Sequence, residues 1–129
     1  MTSEGFFVFL DLNGKIIVMK INIKPIDFDI TPSFEAYVRT KLGYLDKFVK
    51  RFDAMGAVEI WFEIRRATHH HKKGDVFWAV ADLRLPKKVL RAGKEDRDPR
   101  AAVDAIKDKL HLEIEKYKTR FLTTSYIWG

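Results

Sequence analysis

Three consecutive histidines, His69, His70 and His71, are the residues of this chain whose type most readily suggests chemistry. Imidazole nitrogens bind zinc and other transition metals. However, successive residues of a strand or turn point in different directions. In addition, no Asp, Glu or Cys stands nearby at the spacing of a recognised ligand set. We interpret the histidines as part of a polar turn, and the sequence predicts no metal site and no cofactor.

Glu59 and Glu63 are a second candidate, because two carboxylates on one strand face could act as general acid and base. Both alternate with apolar residues and share their strand face with Trp61, which is typical of the solvent side of a sheet. The sequence contains no nucleophile elbow, no glycine-rich phosphate loop and no dinucleotide-binding fingerprint. It therefore indicates a protein that is not an enzyme and has no small-molecule substrate.

Basic residues at helical spacing favour a binding role instead. On the second of two predicted helices they lie on both flanks of the apolar stripe. One flank carries Lys109, Lys116 and Arg120, within roughly 40° of one another, and the other carries Arg100, Lys107 and Lys118. Lys41 and Lys47 belong to the first helix. Two neighbouring helices edged in this way would present a basic groove to a phosphate backbone, whereas ordinary solvated faces with i,i+4 ion pairs are the alternative.

The composition agrees with a polyanionic partner. The chain has 129 residues and a formal net charge of +6, and each cation laid against a phosphate releases condensed counterions. Cysteine is absent, which excludes disulfides and cysteine-ligated metals and indicates a reducing, cytoplasmic location. No apolar run approaches the roughly 18 residues of a membrane span, and the start of the chain lacks the features of a signal peptide.

Alternating apolar residues predict four strands, the last of them short, at residues 19–24, 58–64, 76–85 and 89–92. Residues 93–98 are predicted as a charged loop. Residues 1–18 contain Asn13-Gly14, a favoured hairpin turn, and are either an N-terminal extension or an extra hairpin strand. Trp61 and Trp78 are out of phase with the apolar face of their strands, so we expect them on the opposite side of the sheet.

Two helices are predicted from apolar residues spaced by three and four. Thr31-Pro32 opens the first, which runs for about six turns to Asp53, and Asp98-Pro99 opens the second, which ends near Arg120. The order is β-α-β-β-β-α. We expect an α+β fold with two helices packed on one face of a four-stranded, mostly antiparallel sheet. The domain covers residues 19–120, and residues 121–129 form a C-terminal tail.

Short segments in this order resemble the ribosome hibernation-promoting factors, a family that includes the ribosome-associated inhibitor and the proteins once labelled sigma-factor modulators. The matching segments are Ile21-Asn22-Ile23, Ile30-Thr31-Pro32, Lys41-Leu42 with Leu45 and Lys47, His71-Lys72-Lys73-Gly74, Leu83-Arg84-Leu85-Pro86, Leu90-Arg91-Ala92, Asp98, Ala101-Ala102-Val103-Asp104, and Asp108-Lys109-Leu110 with Lys116 and Lys118. Each segment alone is weak, and their order and spacing make the whole specific.

The resemblance implies a domain that occupies the mRNA and tRNA channel of the small ribosomal subunit and silences idle ribosomes. It implies contacts with ribosomal RNA from Lys41, Lys47, Lys109, Lys116 and Lys118. Arg120 is added from helix spacing. Arg100 is added because it supplies a charge where the family usually has an aromatic residue. A protein-interaction module that uses the Trp61 and Trp78 sheet face is the alternative function.

The C-terminal dimerisation domain of the family's long forms has no counterpart in this sequence, so direct bridging of two ribosomes through that domain is not expected. The partner expected from the resemblance is the small subunit and its RNA. No membrane partner is expected.

Overall fold

The computed structural model describes residues 3–10, 16–53, 58–68 and 74–128. Within these residues, strands and helices follow in the order β1 (Ser3–Leu10), β2 (Ile16–Ile26), α1 (Pro32–Gly43), α2 (Asp46–Asp53), β3 (Glu59–Thr68), β4 (Asp75–Leu85), β5 (Lys88–Asp96) and α3 (Pro99–Trp128). His69, His70 and His71 lie outside the described residues, as does Asn13-Gly14.

The strands form one mixed sheet in the order β1-β2-β3-β4-β5. Only β2 and β3 pair in parallel, with Ile21 opposite Ile60, and the other neighbours are antiparallel. A parallel pair needs a crossover connection, and α1 and α2 supply it. In the next two strand pairs, Ile60 of β3 lies opposite Leu83 of β4, and Leu83 lies opposite Leu90 of β5. These four residues are buried and form a row across the sheet beneath the helices.

The core lies between this sheet face and the helices. α1 packs on β2, α3 packs on β4 and β5, and α1 and α3 contact each other. The stripe of α3 is buried at Val103, Ile106, Leu110 and Ile114. An apolar stripe of this width stabilises a helix only against a second layer. Packing therefore holds the two helical elements side by side with their polar edges outward.

The predicted α+β fold is confirmed, with β2–β5 as the predicted sheet and both helical regions on one face. β1 adds a fifth strand at the edge of the sheet and pairs with β2 from Ser3 opposite Ile23 to Leu10 opposite Ile16. The described residues of the segment 1–18, which are 3–10 and 16–18, thus belong to strands β1 and β2.

The single first helix of the prediction is wrong, because the structure divides it into α1 and α2. The amide of Leu45 donates to the carbonyl of Leu42 at 3.0 Å, and the amide of Phe48 donates to the carbonyl of Leu45 at 3.0 Å. These i→i−3 bonds place residues three apart above one another, so Leu42 and Leu45 both stay buried. Gly43 favours the break, since glycine costs a helix about 1 kcal/mol relative to alanine.

Two further boundaries differ from the prediction. β5 continues to Asp96 through the segment predicted as a loop, because Lys94 and Asp96 pair with Ala79 and Phe77 of β4. A paired neighbour outweighs the weak strand preference of charged residues. α3 continues beyond Arg120 to Trp128, so residues 121–128, expected as a tail, are helical.

Both predicted helix starts are confirmed. Thr31 adopts an extended conformation, and its hydroxyl accepts a hydrogen bond from the amide of Phe34 at 3.1 Å. The carboxylate of Asp98 accepts one from the amide of Arg100 at 2.9 Å. Each cap satisfies an amide that has no partner within the helix. The two caps fix where α1 and α3 begin. Arg100 of α3 then lies beside the first turn of α1 and donates to Ser33.

Candidate nucleic-acid interface

Five basic residues line the polar edge where α1 and α2 meet α3, and we call this edge the helix seam. Its members are Lys41, Lys47, Arg100, Lys107 and Lys118. Each has its charged group within 6 Å of an aromatic ring of the same edge, between 4.0 and 5.7 Å from the ring centroid. The seam therefore combines positive charge with aromatic surface on two packed helical elements.

The seam begins around Tyr37 of α1. The Arg100 guanidinium lies 4.7 Å from the centre of the Tyr37 ring and donates to the hydroxyl of Ser33 at 3.0 Å. The Lys41 ammonium is 5.4 Å from the centre of the same ring and 3.8 Å from a carboxylate oxygen of Asp104. The two cations thus share one aromatic ring, with Arg100 held from α3 and Lys41 from α1.

The Tyr37 hydroxyl donates to Asp104 on α3 across 2.6 Å. This hydrogen bond is the main reason that the pKa of Tyr37 is raised to about 12, and partial burial and the negative charge of Asp104 act in the same direction. The bond ties α1 to α3 at the seam.

The seam continues around Tyr44, Phe48 and His111, which we call the aromatic cluster. The imidazole of His111 stacks on Phe48 with ring centres 4.0 Å apart, and Tyr44 meets both rings edge-on at 5.2 and 6.2 Å. The Lys47 ammonium lies 4.0 Å from the centre of the Tyr44 ring, and that of Lys107 lies 5.3 Å away. Residues from α2, α3 and the turn between α1 and α2 therefore meet here.

Carboxylates near the seam partly offset the positive charge of its lysines. Asp108 lies 3.2 Å from the Lys107 ammonium, and Glu115 lies 3.9 Å from Lys118 and 3.7 Å from His111. Both carboxylates are more than half exposed. Exposed ion pairs contribute only about 0–1 kcal/mol, so a phosphate group can compete for these lysines.

The remaining predicted residues lie on the other edge of α3, above β5, and we call this edge the β5 flank. The Lys109 ammonium donates to the carbonyl of Gly93 on β5 at 2.7 Å. Lys116 lies 3.6 Å from Glu113, and Arg120 is exposed. Of the predicted RNA contacts, the structure therefore brings together Lys41, Lys47, Arg100 and Lys118, and it places Lys109, Lys116 and Arg120 apart from them.

The sequence did not lead us to predict the aromatic residues of the seam, and Lys107 was not among the predicted site residues. Tyr37 and Tyr44 are seven residues apart, two helical turns on one face, with Lys41 between them. That spacing was available from the sequence. The partnership with His111 was not, because it depends on how α3 packs beside α2.

On the sheet face opposite the helices, several charged side chains form ion pairs with one another. Trp61 donates from its indole to Glu59 at 2.9 Å and is covered by the Arg84 guanidinium, 4.7 Å from the ring centre. Glu59 also lies 3.5 Å from Arg84. Glu59 thus has structural partners, and Glu63 lies 3.7 Å from Arg65. Both carboxylates are therefore held in ion pairs with arginine side chains.

A pocket of about 430 Å³ opens on the same sheet face. Its walls include Trp61 and a two-point ion pair in which Arg91 donates to both oxygens of Asp82, at 2.6 and 3.0 Å. The hydrogen bond from Arg91 holds the pKa of Asp82 below its usual value. The lining therefore combines one close ion pair, Asp82–Arg91, with the charged side chains of Lys24, Glu63 and Arg84.

Within the described part of the chain, no three metal-binding side chains come together. No helix there is long and apolar enough to cross a membrane.

Comparison with protein families identifies the family to which the chain belongs. The sequence model of the Sigma 54 modulation protein / S30EA ribosomal protein family matches residues 21–121. The chain belongs to this family. The matched segment of this S30EA-family protein contains the helix seam and the β5 flank, and the resemblance stated from the short segments is confirmed.

Curated relatives carry matching names. The ribosome hibernation promotion factor of Lactococcus lactis is 31% identical over 103 residues, which are 80% of this chain and 51% of the relative. That of Deinococcus radiodurans is 26% identical over 73% of this chain and 46% of the relative. The ribosome hibernation promoting factor of Klebsiella oxytoca is 28% identical and is covered over 96% of its length. The chain thus spans about half the length of the first two relatives.

Solved structures support the fold. A ribosomal subunit interface protein from Coxiella burnetii superposes with a TM-score of 0.60 at 19% identity, over 77% of this chain and 97% of the other. The N-terminal domain of Protein Y from Thermus thermophilus superposes with a TM-score of 0.58 at 23% identity, over 74% of this chain and 93% of the other.

Proposed function

We propose that this protein is a ribosome-binding hibernation factor that occupies the mRNA and tRNA channel of the small ribosomal subunit. Its basic helix faces would contact ribosomal RNA, with the helix seam at the centre and the β5 flank beside it. The observation that carries the proposal is the line of five cations along α1, α2 and α3, which pack against one another on one face of the sheet. The family and the names of its members support a ribosomal partner, and such a partner implies a cytoplasmic location.

The seam suits RNA because folded RNA is recognised mainly through phosphates, 2′-hydroxyls and shape. Lysine and arginine on rigid helices can match a phosphate backbone without reading bases. The described seam and flank supply eight cations, from Lys41 to Arg120. About six phosphate contacts would make binding fall on the order of a thousandfold between 50 and 200 mM salt. This role requires neither catalysis nor a cofactor.

Co-sedimentation with separated ribosomal subunits tests the proposal. We expect stoichiometric pelleting with the small subunit at 50 mM salt, a steep loss at 200 mM, and competition with mRNA and initiator tRNA. A Lys109→Glu/Lys116→Glu variant should lose binding and remain folded, because both side chains are exposed. Its melting temperature should fall slightly, because the hydrogen bond from Lys109 to the Gly93 carbonyl is lost.

The assay separates three results. Failure to pellet at low salt would contradict ribosome binding. Pelleting that mRNA and tRNA do not reduce would contradict channel occupancy only. Unchanged pelleting of the charge-reversed variant would remove the β5 flank from the proposed interface.

The geometry of the opposite sheet face gives little support to an aromatic docking surface. Trp78 and Val89 are exposed, by 45% and 53%. Val89 pairs with Arg84, six residues along β4 from Trp78, which is roughly 20 Å of extended strand. The exposed apolar residues are therefore separated, while Trp61 between them is covered by Arg84.

A further inference from the structure

We infer that the aromatic cluster of Tyr44, Phe48 and His111 is a stacking site for one unpaired RNA base, with Lys47, Lys107 and Lys118 holding the flanking phosphates. The inference rests on the proposed function and extends it, because phosphate and shape recognition alone would accept a paired helix. It assigns a single-stranded nucleotide to a defined place on the seam.

The first observation is an available ring. Tyr44 keeps 39% of its surface exposed, whereas the other described aromatic side chains of the helices, Phe34, Tyr37, Phe48 and Tyr117, are buried or half-buried. Tyr44 lies in the short turn between α1 and α2. Phe48 and His111 support it edge-on, so the ring is braced from two sides while part of it remains open to solvent.

The second observation is the charge around the ring. The Lys47 and Lys107 ammonium groups lie 4.0 and 5.3 Å from the centre of Tyr44, and Lys118 lies 5.7 Å from the centre of Phe48. A nucleotide combines a flat aromatic base with a phosphate on each side, and proteins bind single strands with aromatic rings beside a basic groove. Two lysines at the braced Tyr44 ring and a third beside Phe48 match that combination.

A base must displace an ammonium group from the ring, and the magnitudes favour this exchange. An exposed ammonium–ring contact is worth about two- to fivefold in a binding constant. Base–aromatic stacking is worth about five- to a hundredfold. The displaced lysine then gains a phosphate. Asp108 and Glu115 oppose this, and both are exposed, so screening limits their effect.

The test uses the full chain and a decamer of uridines with one central 2-aminopurine, whose fluorescence is quenched by stacking. We expect quenching on binding, and a loss of quenching with about tenfold weaker binding for Tyr44→Leu. Tyr44→Phe should behave like the original protein. Trp78→Leu, which removes an exposed aromatic ring from the opposite face, is the matched control and should change nothing. A paired duplex of the same length should bind equally to all variants.

Several outcomes would overturn the inference. One is failure of the original protein to bind the single strand at 50 mM salt. A second is equal quenching with Tyr44→Leu, when its melting temperature shows that it is folded. A third is binding of a poly-glutamate decamer as tight as that of the RNA, which would indicate an acidic peptide partner instead.

Parallel pelleting with small subunits separates this inference from the proposed function. If the decamer result is negative and pelleting is normal, only the stacking site is wrong. If decamer binding depends on Tyr44 and pelleting fails, the stacking site stands and the ribosomal role is wrong.

Discussion

At the scale of a single residue, the hydroxyl of Tyr37 links α1 to α3 within the helix seam. It donates to Asp104 at 2.6 Å, and the same carboxylate oxygen lies 3.8 Å from the Lys41 ammonium. A hydrogen bond to a charged acceptor contributes about 1.5–3 kcal/mol when it is well formed. Tyr37 therefore helps to set how α1 approaches α3, and with it the distance between cations that belong to different helices.

Replacing Tyr37 by phenylalanine removes this bond and keeps the ring that packs beneath Arg100. We expect Tyr37→Phe to lower the free energy of unfolding by about 1–2 kcal/mol at pH 7.5, measured by urea denaturation. The pH dependence gives a sharper test. The pKa of Tyr37 is raised to about 12 in the folded protein, whereas it is about 10 in an unfolded chain.

The sign follows from proton binding. Between pH 10 and 12 the folded state holds the phenol proton and the unfolded state has lost it, so stability falls as the pH rises through this range. The extra stability of the original protein over Tyr37→Phe should be constant below about pH 10 and should shrink towards pH 12. A difference that stays constant through this range would show that the hydroxyl does not carry the interaction.

At the scale of elements, the indole of Trp78 on β4 lies close to Gly93 on β5. The Trp78 indole crosses β5 at Gly93, where an added Cβ would lie 3.2 Å from its Cζ2 atom. Contacts this short force a neighbour to move. The absence of a side chain at Gly93 therefore leaves room for the Trp78 indole in its present position.

A substitution at Gly93 should change the stability of the protein in opposite directions when the Trp78 indole is present and when it is absent. We expect Gly93→Val to destabilise the original protein by about 1 kcal/mol through overpacking. In a Trp78→Ala background the same change should stabilise by up to about 1 kcal/mol, because valine favours strands over glycine. Thermal unfolding of the four proteins measures the interaction. The same sign in both backgrounds would mean that the indole does not restrict position 93.

Elements also show why some of the site could be predicted from the sequence and some could not. Three- and four-residue spacing placed Lys41, Arg100 and Lys118 beside the apolar stripes of the helices, and the family resemblance added Lys47. The caps at Thr31 and Asp98 placed the helix starts. Spacing on one helix cannot tell which edge faces a second helix. The Tyr37–Asp104 contact joins residues 67 positions apart, and it arises only when α3 lies over β4 and β5 with α1 beside it.

For the whole molecule, the two faces of the sheet differ in how their charges are used. On the open face, Arg84 and Arg91 are paired with Glu59 and Asp82, so these two arginines contribute little positive potential toward an RNA partner. On the helix face, five cations follow the seam. The formal net charge of +6 is therefore a poor guide to binding, because arrangement and competition from neighbouring carboxylates decide which cations can accept a phosphate.

Two double variants of equal net charge separate arrangement from total charge. Lys41→Gln/Lys47→Gln removes two seam cations, and Lys87→Gln/Lys88→Gln removes two exposed lysines at the turn between β4 and β5. If the seam contacts RNA, only the first variant should bind the small subunit more weakly. Its slope of log K against log salt should fall by about 1.5, since each lost phosphate contact contributes about 0.7–0.9. Equal losses in both variants would show that net charge, and not the seam, drives binding.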